Sequence, residues 1–260
     1  MTHAVNLIHK TWDSNFFNRD IYELSGYIQS DPSALNQLGK MLDTVLIDKN
    51  ALVQVKVESD SFQDIPVLEG EGFRFVDSRL EFLTTEERLG NQVLAPAGVF
   101  REFSNSDWDQ VGELTFQSFA GNSRFMSRYN NRQYFSVDDS HRYYMQWHKL
   151  VLENQHPMFC IWDVGGEICG FYTIDRKLND ETGVPFYKVG LGAVKEGHRS
   201  FGAQNLMQQW LFSQAVDPKW VTVNSPALTN KAGIKNNIRA QKNFDRAEVF
   251  MFANRDSRSL

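Results

Sequence analysis

The sequence predicts a mixed α/β (α+β) fold with a mostly antiparallel sheet, and three observations carry that expectation. Alternating strands and amphipathic helices interleave along all 260 residues. A strand–turn–strand unit, PMFCIWDV, Gly165-Gly166, EICGFYTIDRKL, stands in the second half, its two glycines suited to a hairpin turn. A further strand, PFYKVGLGAV (185–194), leads through a loop into an amphipathic helix, LMQQWLFSQAV. A composition of 42% hydrophobic and 23% charged residues is that of an ordinary globular protein.

The first half reads as strand, helix, strand, connection, strand. Asp31-Pro32 is a helix start, a capping side chain followed by proline in the first turn. Leu35, Leu38, Met41, Leu42, Val45 and Leu46 follow with helical spacing. ALVQVKVES (51–59) and FRFVDSRLEFL (73–83) alternate as half-buried strands do. From Leu89 to Gly98 the sequence turns polar and Gly/Pro-containing, which sets a boundary between a smaller amino-terminal α/β domain, 1–95, and a second domain, 96–260.

The second half opens on Ser106-Asp107, read as the cap of a helix carrying Val111, Leu114 and Phe119. Tyr143, Tyr144, Trp147, Leu150 and Val151 share one face of another helix. After the strand and helix named above come a buried strand, KWVTVNS, a helix near Asn230 to Asn243, and a last strand, AEVFMFAN. Helix, VQVKV, connection and GFRFVDSRLEFL in the first half echo helix, WVTVN, helix and RAEVFMF at the end, a pattern that a duplication leaves and that α/β chains also show by chance.

Charge and composition exclude several classes. The net charge is −5, from 27 basic and 32 acidic residues, which argues against a general nucleic-acid binder. From Lys219 onward there are eight Lys or Arg and three Asp or Glu, a basic segment suited to a small polyanion. No stretch approaches the roughly 20 apolar residues that cross a bilayer, and the amino terminus lacks a signal-peptide pattern. A cytoplasmic location and reduced Cys160 and Cys169 are therefore expected. His141 and His148 lie seven apart on one helix, too few ligands for a metal site, and no metal is expected.

The segment that carries chemistry is VKEGHRSFGAQ (194–204), joining a strand to a helix. A helix amino terminus exposes free N–H groups and the positive end of its dipole, and so attracts phosphate. Gly202 permits close backbone approach, Arg199 adds charge and Ser200 a hydroxyl. An ordinary strand–helix turn with a glycine is the plain alternative.

V-x-x-x-x-R-x-x-G between a strand and an amphipathic helix resembles the pyrophosphate-binding signature of the GCN5-related N-acetyltransferase superfamily. Arg199 and Gly202 match Arg/Gln-x-x-Gly-x-Gly/Ala, and Gln204 replaces the final small residue. The chain further resembles the dTDP-fucosamine acetyltransferases of bacterial surface-polysaccharide synthesis. Its TWDSNFF (11–17), EGFRFVDSRLEF, SFAGNSRF (118–125) with RYYMQW (142–147), and NKAGIKNNIRAQKNFDRAEVFMF are similar to that branch's segments, in order.

The resemblance implies a nucleotide-sugar acceptor and acetyl-CoA as co-substrate. The latter would lie in a V-shaped opening between PFYKVGLGAV and KWVTVNS, on backbone groups of Gly192, Ala193 and Val194. Arg199, Ser200, Phe201, Gly202, Ala203, Gln204 and Asn205 would take the phosphates, and Asn230 matches the family's cofactor asparagine. Seven residues on, the branch has a tyrosine that protonates the departing thiolate; here that position is Asn237, whose amide can hydrogen-bond sulfur but gives up no proton. The thiolate then leaves unprotonated, or Tyr187, a water or the substrate supplies the proton, or catalysis is lost.

The aromatic run from Phe125 to Trp147 reads as core, with some members free to line an acceptor pocket. The polar insert between its helices is long for a simple connection, as functional lids are. It offers Arg124, Arg128 and Arg132 for a diphosphate, Tyr134 for stacking, and Asp138 and Asp139 for hydroxyl or ammonium groups. The expected partner is thus a small-molecule amine, a nucleotide-sugar by the resemblance, with no nucleic acid or membrane and with a homodimer left open. A transferase for another small amine or acyl-CoA, and a catalytically silent acyl-CoA binder, are the alternatives.

Overall fold

The structure is a computed structural model, and it describes residues 5–26, 32–85, 97–122, 125, 127–154, 157–178, 183–199, 202–215, 217 and 221–258. The chain forms two compact units, Met1–Arg79 with Arg246–Leu260, and Leu80–Asp245. A boundary at 95/96 falls within 86–96, which lies outside the described residues.

The first unit holds β1 (Asn6–His9), α1 (Thr11–Phe17), β2 (Ile21–Ser25), α2 (Pro32–Val45), β3 (Leu52–Glu58), α3 (Ile65–Gly70), the start of β4 (Arg74–Thr85) and most of β10 (Asn243–Ala253), ending on α8 (Arg255–Arg258). β2 and β3 are parallel, joined through α2, whereas β3 and β10 are antiparallel. The alternation in LVQVKVE sends Val53, Val55 and Val57 to one face, where they meet Leu38, Leu42 and Leu46 of the α2 region and Met251 and Ala253 of β10. The spacing of those leucines predicted this helix, and it is there. Sequence periodicity missed α1 and α3, which are seven and six residues long, too short for a helical repeat to register.

The second unit holds β5 (Val99–Glu102), α4 (Trp108–Thr115), α5 (Val137–Leu152), β6 (Met158–Val164), β7 (Glu167–Leu178), β8 (Pro185–Val194), α6 (Ala203–Ser213), β9 (Val221–Asn224) and α7 (Lys231–Arg239). Its strands run in the order β4-β9-β8-β7-β6-β5, antiparallel throughout except for the parallel β8–β9 pair. A mixed, mostly antiparallel sheet is what the sequence predicted. Alternation places α5 and α6 on opposite faces of β6 and β7. His148 of α5 packs on Phe159 and Phe171, while Met207 and Leu211 of α6 join Cys160, Trp162 and Tyr172. Cys160 and Cys169 are both buried free thiols.

Two local readings are corrected. The cap before α4 is Ser104, not Ser106: a 3-10 turn at Asn105–Asp107 intervenes, and the Asp107 carboxylate accepts the Ser104 N–H at 2.7 Å. α7 ends at Arg239, before Asn243, because Gln241 adopts a left-handed φ of 54° that turns the chain into β10. The polar insert is, where described, internally tied. Ser127 and Tyr144 share a 2.6 Å hydrogen bond, the Asn130 amide donates to the carbonyls of Phe119 and Phe125, and Tyr129 stacks on Tyr143 at 4.1 Å.

Candidate functional site

The parting of β8 and β9 builds the site. They pair only from Phe186 to Lys188 against Val221 to Val223. β8 then runs on to Val194 beside β7, whereas β9 stops at Asn224. Beyond Lys188, one edge of β8 therefore has no strand partner among the described residues of the second unit. Which groups face that edge follows from alternation. The Lys195 N–H donates to the Cys169 carbonyl on the β7 side, so the main chain of Ala193 also faces β7 and those of Gly192 and Val194 face away. Ala193, expected among the free groups, is thus committed to the ladder. The Val194 carbonyl faces the opening and accepts Arg199 Nε at 3.0 Å.

A bulge marks the middle of this edge. Gly190 and Leu191 together oppose Thr173, whose hydroxyl takes the Leu191 N–H at 2.8 Å and donates to the Leu191 carbonyl at 3.1 Å. The GLG in β8 is a packing requirement. A Cβ at Gly190 would lie 2.5 Å from Thr173 Oγ1, and one at Gly192 would lie 2.4 Å from the Tyr172 ring.

Past β8, a 3-10 turn at Glu196–His198 leads to Gly202, which sits at φ 70° as the residue before α6. Only glycine takes that left-handed position at no steric cost. Among the described residues, no side chain caps α6. The N–H groups of Asn205 and Leu206 both turn to the Gly202 carbonyl, leaving those of Ala203 and Gln204 without an intrahelical acceptor. That is a donor pair at the positive end of an 11-residue helix, and it fits a phosphate. Ser200 and Phe201 lie outside the described residues. Gln204 is drawn sideways, its Oε1 accepting Asn236 Nδ2 of α7 at 2.7 Å.

The other wall is α7. Asn230 caps it, Oδ1 accepting the Gly233 N–H at 2.9 Å. Asn237 is 2% exposed and its amide is spent at both ends: Nδ2 donates to the Gly233 carbonyl and Oδ1 accepts Asn224 Nδ2 of β9, each at 2.9 Å. Tyr187 lies in the paired part of β8, fully buried, its hydroxyl donating to Asp217 at 2.5 Å. Burial, then the Asp217 carboxylate, pushes this phenol up to about 12, so it stays protonated near neutrality. Arg176 clasps the same carboxylate at 2.8 and 2.9 Å, which makes Asp217 the anchor of the α6–β9 connection.

The proposed acceptor residues are placed unevenly. Arg124 lies outside the described residues. Tyr134 is buried, and Asp139 is engaged by Ser136 and Arg142 at the start of α5. Arg132 reaches the Ala120 carbonyl and Ser140, and Arg128 lies over the Tyr129 ring. His148 bonds Thr115 at 2.9 Å, and burial lowers its imidazole to about 3, so it is a neutral packing residue. Asn224, absent from the sequence reading, stands beside Asn237 at the end of β9; nothing in VTVN distinguishes it before β8 and β9 are seen to part.

No family model matches the chain, and no curated protein matches it. Solved structures do. A GCN5-related N-acetyltransferase from Sphaerobacter thermophilus superposes with a TM-score of 0.60 at 12% identity, covering 96% of this chain and 76% of that one. One from Kribbella flavida gives 0.59 at 9% identity, covering 90% and 81%. A tandem protein of this fold from the clavulanic acid biosynthesis pathway gives 0.58 at 12%, covering 90% and 74%. At such identities the likeness is one of fold, and the fold is that of the GCN5-related N-acetyltransferases.

Proposed function

We propose that the chain is an acetyl-CoA-dependent N-acetyltransferase whose acceptor is the amino group of a nucleotide-linked, by resemblance dTDP-linked, deoxyamino sugar of bacterial surface-polysaccharide synthesis. The observation that carries this reading is the unpaired edge of β8 running into the uncapped start of α6 at left-handed Gly202. The α6 donors and Arg199 take the phosphates, and Gly192 and Val194 bond the amides of the pantetheine arm. Arg199 first releases the Val194 carbonyl, which leaves that acceptor to the ligand. The acceptor nitrogen bonds to the thioester carbon, the carbon–sulfur bond breaks with its electron pair on sulfur, and the ammonium proton passes to water.

Two variants test the reading. Arg199→Ala should weaken acetyl-CoA binding by about 1.5–3 kcal/mol, the worth of a charged hydrogen bond, measured by calorimetry; unchanged affinity would move the phosphates elsewhere. Arg124→Ala should raise the Michaelis constant for the nucleotide-sugar several-fold and leave that for acetyl-CoA nearly unchanged. A second reading, a silent acyl-CoA binder, is favoured by the engaged amide of Asn237. Tight acetyl-CoA binding with no CoA release across a panel of amino sugars and small amines would select it.

A further inference from the structure

The helices that follow β8 and β9 are tied to each other by side chains. Gln204 and Gln208 stand one turn apart on α6 and so share one of its faces. Gln204 Oε1 accepts Asn236 Nδ2 of α7 at 2.7 Å, and Gln208 Oε1 accepts Nζ of Lys242, just past α7, at 3.0 Å. Because α6 follows β8 and α7 follows β9, both bonds span the opening that the parted strands leave. They differ in depth. Gln208 and Lys242 are 3% and 7% exposed, whereas Gln204 and Asn236 are half-buried.

Gln204 fixes where the outer bond lies. Its side chain comes near the buried Tyr172 hydroxyl without closing a hydrogen bond to it, and the Tyr172 ring lies against Gly192 of β8. Its own N–H is one of the two open donors at the start of α6. The outer bond therefore starts at the phosphate-binding turn and crosses to α7 beside the open strand edge. A ligand with phosphates on α6 and its arm on Gly192 and Val194 passes this point. Two atoms 2.7 Å apart leave no gap for a chain of methylene and amide groups, whose carbon contacts need about 3.5–4.0 Å on each side.

We propose that the Gln204–Asn236 bond is a latch across the cofactor opening, which parts to admit the pantetheine arm of an acyl-CoA and sets how fast it enters. The deeper Gln208–Lys242 bond holds α6 and α7 together while the latch is open. Gln204 stands where the phosphate-binding signature has glycine or alanine, neither of which has a side chain long enough to reach α7. The inference rests on the proposed cofactor site and adds Asn236 to its control.

Surface plasmon resonance with immobilised protein and free CoA separates entry from release. Gln204→Ala and Asn236→Ala should each raise the association rate constant about fivefold, the population worth of one ordinary hydrogen bond, and leave the dissociation rate constant within about twofold. Alanine is the best helix former, so both variants keep their helices. The double variant should be no faster than either single one, because both remove the same bond. Unchanged or slower association in both variants would overturn the latch and leave the cofactor site standing. A change confined to dissociation would do the same, since the pair would then hold the ligand instead of barring it. Effects that multiply in the double variant would show two separate contacts and no latch. Wild-type protein that binds no CoA would remove the cofactor site and the latch together.

Discussion

Lys242 puts an amine where water barely reaches. It is 7% exposed, its Nζ donates to Gln208 Oε1 at 3.0 Å, and burial lowers it to about 7. The unfolded chain holds this proton up to about 10.4. Between roughly 7 and 10.4 the unfolded state therefore binds more protons, and stability rises with pH. Raising the pH from 7 to 9 should add on the order of 2 kcal/mol from this group. Denaturant unfolding at both pH values should show that gain in wild type and lose it in Lys242→Met, where the unsatisfied Gln208 carbonyl offsets part of the relief. Gly190 makes a steric counterpart. Gly190→Ala pushes a methyl group to 2.5 Å from Thr173 Oγ1, a hydroxyl already tied to both Leu191 main-chain groups. It should cost about 1–3 kcal/mol in the same measurement. A glycine at 190 was visible in the sequence, but its neighbour was not, because Thr173 meets it only through the β7–β8 register.

At the scale of elements, α7 and α6 begin in contrasting ways. α7 is closed by its own side chain, Asn230 Oδ1 holding the Gly233 N–H, so Asn230→Ala should cost about 1 kcal/mol of stability. The Gly233 position has no room for a Cβ, which would lie 2.7 Å from Asn230 Nδ2. α6 has no such cap among the described residues, so a phosphate-bearing ligand should stabilise it. Hydrogen exchange of the first-turn amides of α6 should slow on adding acetyl-CoA, while the interior of α5 stays unchanged. The elements themselves were legible. Leucine spacing marked α2, aromatic spacing marked α5, and the paired glycines marked the β6–β7 hairpin. The four-residue β5 and the short α1 and α3 were not, since none spans enough residues to repeat its pattern.

At the scale of the molecule, the two long strands give the repeat heard in the sequence a structural form. The first α-β-α-β passage is α2, β3, α3, β4, and the last is α6, β9, α7, β10. Each ends on a strand that leaves its own group: β4 pairs with β9 in the second unit, and β10 pairs with β3 in the first. At 12 and 11 residues both exceed the usual strand of about 5–6. The first unit therefore has no complete core until the end of the chain arrives, because Met251 and Ala253 are part of it. A chain truncated after Asp245 should lose the cooperative unfolding of that unit and expose 1–79 to proteolysis; retained protection would show that β3 needs no β10.

What the sequence determined by itself is what local patterns encode: an interleaved α/β chain, a mostly antiparallel sheet, and a glycine just ahead of α6. These depend on side-chain period and backbone freedom within a few residues of each other. Tertiary structure alone decided the rest. Sheet register turned Ala193 toward β7 and Gly192 away from it, buried Tyr187 against Asp217, and brought Asn224 to Asn237 at the point where β8 and β9 part. Those outcomes join residues 13 to 30 positions apart, and strand pairing sets them, which no local period records.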